Sequence, residues 1–267
     1  MDKVLSFHQG RLPLLISMPH AGLRLSDAVR DGLVEQAQSL PDTDWHIPQL
    51  YDFARDMGAS VVAAEYSRFV IDLNRPDDDK PLYTGATTGL YPATLFGGEP
   101  LFKDGLAPSG EERKRYLEQI WRPYHTTIRR ELDRLREQFG YALLWDAHSI
   151  RSLIPHLFDG MLPDFNLGTF NGASCDPALA ERLQGMCAGM QGYSHVLNGR
   201  FKGGYITRHY GDPANHIHAV QLELAQSTYM EEVEPFAYRE NLAQPTQAVL
   251  RQLLQALLAW GDEHYKR

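Results

Sequence analysis

Two short apolar runs in this chain end in the same way. Pro13–Met18 passes into Pro19-His20-Ala21-Gly22, and Tyr141–Trp145 passes into Asp146-Ala147-His148-Ser149. An apolar run of five or six residues closed by polar or turn residues reads as a buried strand that delivers a loop at its C-terminal edge. A third run, Ala59–Glu65, follows a helical-looking segment, Ile47–Met57, and the helix stop Gly58. Strand, helix, strand is the elementary α/β unit, so the chain is expected to be α/β, with a histidine at each of two strand ends.

Further elements fit that plan. Phe69–Leu73 reads as strand-like, Ser194–Leu197 as a short strand, and Ala219–Leu224 as a last apolar strand carrying one acid, Glu223. Ser109-Gly-Glu-Glu opens a long amphipathic helix to Gln138 that Pro123 is placed to kink. Asp176–Gln191 and Leu242–His264 have helical spacing. Between Pro81 and Pro108 lies a Gly-, Pro- and Thr-rich stretch without periodicity, of a length that commonly walls a site. No internal repeat or compositional break appears, so one domain over residues 1–267 is expected.

Charge and hydropathy exclude some functions. With 26 Lys+Arg against 34 Asp+Glu the net charge is −8, which repels a phosphate backbone and argues against nucleic acid as a partner. The longest apolar stretches fall far short of the ~20 residues that span a bilayer, and the charged start lacks an apolar signal core. No membrane partner and a cytoplasmic location are expected. Cys175 and Cys187 read as reduced, partly buried thiols rather than a disulfide framework.

Ligands in open α/β sheets gather where strand C-termini meet, which draws attention to His20 and His148. Zinc takes neutral imidazoles and a carboxylate and leaves a fourth position to water in catalytic sites. Asp42 and Asp44, ahead of the Ile47–Met57 helix, are the carboxylate candidates. Against this stands the plainer reading, in which the histidines are structural hydrogen-bonders and the Asp an N-cap. His216 and His218 offer a weaker pair, better read as loop and edge residues. Glu223 in an apolar strand is either held for proton work or faces solvent. Arg68, Arg75 and Arg208 suit carboxylate recognition if they share an edge, and surface ion pairs if they do not. The usual serine hydrolase, P-loop, H-E-x-x-H and dinucleotide-binding motifs are missing from the sequence.

Five segments in order resemble the N-formylglutamate amidohydrolase family: Ser17-Met-Pro-His-Ala-Gly, Asp42-Thr-Asp-Trp-His, Tyr66-Ser-Arg-Phe-Val-Ile-Asp-Leu-Asn-Arg, Asp146-Ala-His-Ser and Gln221-Leu-Glu-Leu-Ala-Gln-Ser. The resemblance implies a three-layer, zinc-carboxypeptidase-like α/β domain with a mixed central sheet. It also implies one divalent metal ion, expected to be zinc, held by His20, His148 and an Asp, with Asp44 preferred and Asp42 in reserve. Glu223 then becomes the general base and acid, Arg68 the partner of the developing oxyanion, and Asp146 a support for a ligand imidazole. Asn74 and Arg75 resemble a pair that holds a substrate carboxylate, and Arg208 is assigned the second one.

The activity so implied is zinc-dependent hydrolysis of N-formyl-L-glutamate to formate and L-glutamate, as at the end of a histidine degradation route. The partner is then a small anionic N-acyl amino acid. Two alternatives stay open: a metal-dependent deacylase or carboxypeptidase-like hydrolase for another N-acyl amino acid, and a non-catalytic binding protein of the same fold.

Overall fold

The computed structural model describes residues 3–82 and 87–265. Seven strands form one sheet: β1 (Leu5–His8), β2 (Leu14–Met18), β3 (Ser60–Ala64), β4 (Ala142–Ile150), β5 (Phe165–Gly168), β6 (His195–Leu197) and β7 (Ile217–Ala225). Their order is β1-β3-β2-β4-β7-β5-β6. The central β3, β2, β4 and β7 run parallel, while β1 against β3 and β5 against β7 are antiparallel. The sheet is thus the mixed one expected.

Among the described residues, eight α-helices surround it: α1 (Asp27–Gly32), α2 (Ile47–Leu50), α3 (Phe53–Met57), α4 (Gly110–Tyr116), α5 (Arg122–Phe139), α6 (Pro177–Gly189), α7 (Tyr205–Tyr210) and α8 (Glu240–Tyr265). On one face α5 lays Tyr124, Ile128, Leu132 and Leu135 on Leu15, Val62, Leu144 and Ala219. On the other, α6 and α8 lay Leu179, Leu183, Leu250, Leu254 and Leu257 on Leu143, Trp145, Val220 and Leu222. Every residue of β2, β3, β4 and β7 is buried, as a sheet covered on both faces requires. No helix among the described residues is long and apolar enough to cross a membrane.

Local signals place several boundaries. Ser109 and Glu112 form a reciprocal capping box that starts α4, and Gly140 ends α5 at φ 84°. The long helix expected from Ser109 is interrupted by a π-helical turn over Leu117–Trp121, ending two residues before Pro123, whose missing N–H is tolerated in the first turn of α5. Gly58 stops α3 at φ 101°.

Two strand readings change. Phe69–Leu73 is buried but not a strand: Ser67 Oγ accepts from Phe69 N, Asp72 N donates to Leu90 O, and the Asp72 carboxylate accepts from Asn74 N. Those side-chain and backbone bonds fold the segment into an irregular turn. Strand β4 does not stop at Trp145 but continues through Asp146 and His148 to Ile150. β1 and β5, each of four residues, are additions. The Pro81–Pro108 stretch contains only isolated bridges, and residues 83–86 lie outside the described residues.

Candidate metal and substrate site

The face of the sheet under α5 changes character halfway along β4 and β7. Residues two apart share a face of a strand. On this face Ala142 and Leu144 give way to Asp146 and His148, and Ile217 and Ala219 give way to Gln221 and Glu223. Asp146 pairs in register with Gln221, and His148 with Glu223. The opposite face is mostly apolar, with Leu143, Trp145, Ala147, Val220, Leu222 and Leu224 in the core and the polar Ser149 and His218 at its two ends. The C-terminal half of the sheet therefore carries a polar row on a fully packed base.

His20 joins this row from the turn after β2. Its carbonyl accepts from Asp44 N at 3.1 Å, which tethers the two loops. Asp44 Oδ2 lies 3.1 Å from His148 Nδ1 and 3.8 Å from His20 Nδ1. Donor atoms of His20, Asp44 and His148 all fall within 4.8 Å of one another, and all three residues are buried. Asp44 is not an N-cap; the residue flanking α2 is His46. Asp42 is used elsewhere, accepting from Phe96 N at 2.8 Å and from Arg151 Nη2 at 3.2 Å.

The far nitrogen of each imidazole is also held. His20 Nε2 lies 2.7 Å from Asp72 Oδ1, and His148 Nε2 lies 3.1 Å from Asp146 Oδ2. A carboxylate on the outer nitrogen fixes the ring and leaves the inner one to a metal, so two imidazoles and one carboxylate of this kind fit a divalent ion such as zinc. Burial and the Arg68 charge push His20 below its ordinary value. Burial acts the same way on His148, but Asp146 and Asp44 outweigh it and hold that imidazole well above.

Asp72 is a hub that sequence reading passed over. Fully buried, it also accepts from Arg68 Nη2 at 2.6 Å and from Asn74 N at 2.8 Å. Burial works against its charge, yet His20 and Arg68 keep the carboxyl well below the usual range. Arg68 is thereby fixed with Nη1 3.4 Å from His20 Nδ1 and its guanidinium 4.6 Å from the centre of the Phe96 ring. The i, i+4 spacing of Arg68 and Asp72 was the available signal, hidden by the strand reading of that segment.

Glu223 faces the cavity rather than solvent and is 7% exposed. Burial pushes its carboxyl up to about 8, against the pull of His148. Gln221 Nε2 donates to Glu223 Oε2 at 3.2 Å, while Gln221 Oε1 accepts from Gly204 N at 2.7 Å. That second bond sets the amide orientation and leaves the NH2 group for the carboxylate.

The cavity above this floor is lined by His20, Arg68, Asn74, Arg75, His148 and Glu223, with Thr87, Thr88 and Phe96 from the expected wall. Asn74 Oδ1 accepts from Ile206 N. Arg75 is braced by Thr88 O, Asn74 O and Thr87 Oγ1. Arg208 is not brought to this cavity: Nε donates to Gly203 O, Nη1 donates to Leu82 O, and the guanidinium lies 4.6 Å from the Phe170 ring centre. Arg200 lines the cavity and carried no motif that would single it out. His218 is buried against Tyr265 at the opposite end of β7, and Cys175 and Cys187 are buried free thiols.

Known proteins share this chain's sequence and shape. It is 91% identical over 267 residues, the whole of both chains, to N-formylglutamate deformylase of Pseudomonas putida. To the protein of that name from Pseudomonas aeruginosa it is 71% identical, over 99% of this chain and all of the other. The crystal structure of N-formylglutamate amidohydrolase from Ralstonia eutropha superposes with a TM-score of 0.80 at 22% identity, covering 99% of each chain, and so shares the fold. The family model for N-formylglutamate amidohydrolase matches residues 12–230, a span that contains His20, Asp44, His148 and Glu223, and the chain belongs to that family.

Proposed function

We infer that this chain hydrolyses N-formyl-L-glutamate to formate and L-glutamate, and that it does so with a divalent metal ion held by His20, Asp44 and His148. The observation that carries the reading is the buried His-Asp-His group set beside Glu223 and Arg68 in one cavity. The sequence relatives supply the substrate. A zinc-like ion in that group would supply Lewis acidity to the formyl oxygen and to a water.

The chain's own residues then divide the work. Glu223, steadied by Gln221, takes a proton from the attacking water on its free carboxylate edge. The same carboxyl returns that proton to the amide nitrogen as the C–N bond breaks, releasing the amine of glutamate. Negative charge that builds on the former carbonyl oxygen faces Arg68, which the Asp72 pair holds in place without reorganisation. Asn74 and Arg75 take one substrate carboxylate through charge-assisted hydrogen bonds, and a second arginine takes the other.

The test is direct. Purified protein should contain about one zinc-like ion per chain and release formate from N-formyl-L-glutamate; a chelator should abolish turnover and added metal should restore it. Full turnover by metal-free protein would remove the metal from the mechanism. Preference for an N-acetyl amino acid or a short peptide over N-formyl-L-glutamate would favour the related deacylase reading.

A further inference from the structure

Glutamate differs from the neutral amino acids by its side-chain carboxylate, so selection for it needs a cation placed away from the reacting amide. The net charge of −8 makes that a local matter. Among the described residues, three guanidinium groups line the cavity: Arg68, Arg75 and Arg200. Arg68 is committed to Asp72 and to the His20 end, where the formyl group must lie. Arg75 stands with Asn74, whose Nδ2 is 3.0 Å from His148 Nε2, and so belongs near the reacting centre as well. That leaves Arg200 among the three for the more distant carboxylate.

Arg200 is also held as a recognition residue should be. Its Nε donates to Leu157 O at 2.9 Å, and its guanidinium lies 5.5 Å from the centre of the Phe201 ring. Phe201 and Leu157 line the cavity too, so the cation meets its ligand against apolar neighbours, where a charge pair is screened less than in open water. The backbone that presents it is pinned two residues earlier: Asn198 Oδ1 accepts from Thr169 N at 2.8 Å and Asn198 Nδ2 donates to Thr169 Oγ1 at 2.9 Å.

We propose that Arg200 is the specificity determinant for the side-chain carboxylate of the N-formyl amino acid, with Arg75 and Asn74 on the α-carboxylate. Arg208 instead braces Gly203 and Leu82 outside the cavity lining. This assignment rests on the deformylase reading above and gives that site its preference for an acidic substrate.

The experiment compares N-formylglutamate with N-formylmethionine in wild type and in Arg200→Gln, Arg200→Lys and Arg208→Gln, with metal content and thermal unfolding measured on the same samples. Arg200→Gln should lower kcat/KM for N-formylglutamate about 100-fold, mainly through KM, and leave N-formylmethionine within about threefold. Lysine should restore part of the loss as a point charge without the planar fork. Arg208→Gln should not change the ratio between the two substrates. An unchanged ratio in Arg200→Gln, or a selective loss in Arg208→Gln, overturns the proposal while wild-type preference for N-formylglutamate leaves the deformylase reading intact. A wild type that shows no such preference overturns both. If Arg200→Gln does not fold, the Lys variant decides: a ratio equal to wild type, and an unchanged inhibition constant for L-glutamate, count against Arg200.

Discussion

Asp42 and Asp44 are two residues apart and both buried, yet their surroundings give them opposite tasks. Asp44 faces two imidazoles; Asp42 accepts from a backbone N–H and a guanidinium of two different loops. Asp44→Ala should therefore lose metal, while Asp42→Ala should keep its metal stoichiometry and loosen the loops bearing Phe96 and Arg151. Metal analysis of the two variants side by side checks this, and metal loss in Asp42→Ala alone would reverse the assignment. Glu223→Gln separates binding from proton transfer, because the amide keeps the shape but cannot accept the water proton. Turnover should drop by at least ~100-fold at unchanged metal content. Near-normal turnover would take Glu223 out of the chemistry.

At the scale of elements, the close approach of the loop before α7 to the turn after Asp72 builds one wall of the cavity. A Cβ at Gly204 would run into the Asn74 amide, so only glycine fits there. Gly204→Ala should raise KM for N-formylglutamate about tenfold without loss of metal, and cost ~1–3 kcal/mol of stability as an overpacking change. Steady-state kinetics with a denaturant titration checks both. Much of the element pattern was legible because β2, β3 and β7 are apolar runs with clear stops. The true length of β4 was not, since Asp146 and His148 read as a loop when in fact they occupy alternate positions of a strand whose other face is still core. His20, His148 and Glu223 could be found from their places at strand ends, and the choice of Asp44 came from the family resemblance. Asp72, Gln221 and Arg200 escaped because their importance lies in partners far away in sequence: His20, Gly204 N and the cavity wall. Arg208 was assigned the second carboxylate, but its guanidinium donates to Gly203 O and Leu82 O and lies against the Phe170 ring.

For the molecule as a whole, stability is tied to pH through histidines kept neutral in the core. Burial drives His125 down to about 3 and His218 down to about 4. His218 Nδ1 accepts from Asp176 N, a bond that protonation there would break. His125 Nε2 lies 2.9 Å from Leu73 O, and the ring stacks 3.8 Å from the Trp121 centroid. Both pKa values are depressed in the folded state, so their contribution is complete above pH 6.5 and is lost as pH falls toward 4 and 3. Within that window each costs about 1.4 kcal/mol per pH unit. Other ionisable groups titrate over the same range, so the informative quantity is a difference between proteins. His125→Gln should show a shallower fall of unfolding free energy between pH 6.5 and 4.5 than wild type; parallel curves would discount His125. The mid-strand change in β4 and β7 has one more effect, which concerns parity. Inserting a single residue within β7 ahead of Gln221 would turn Glu223 into the α6 and α8 layer and Leu222 into the cavity. Two residues would keep every side chain on its proper side and merely slide Glu223 past His148. Odd changes of strand length thus destroy core and catalysis together, whereas even ones separate them, and a pair of such insertions would measure how far the site depends on position alone.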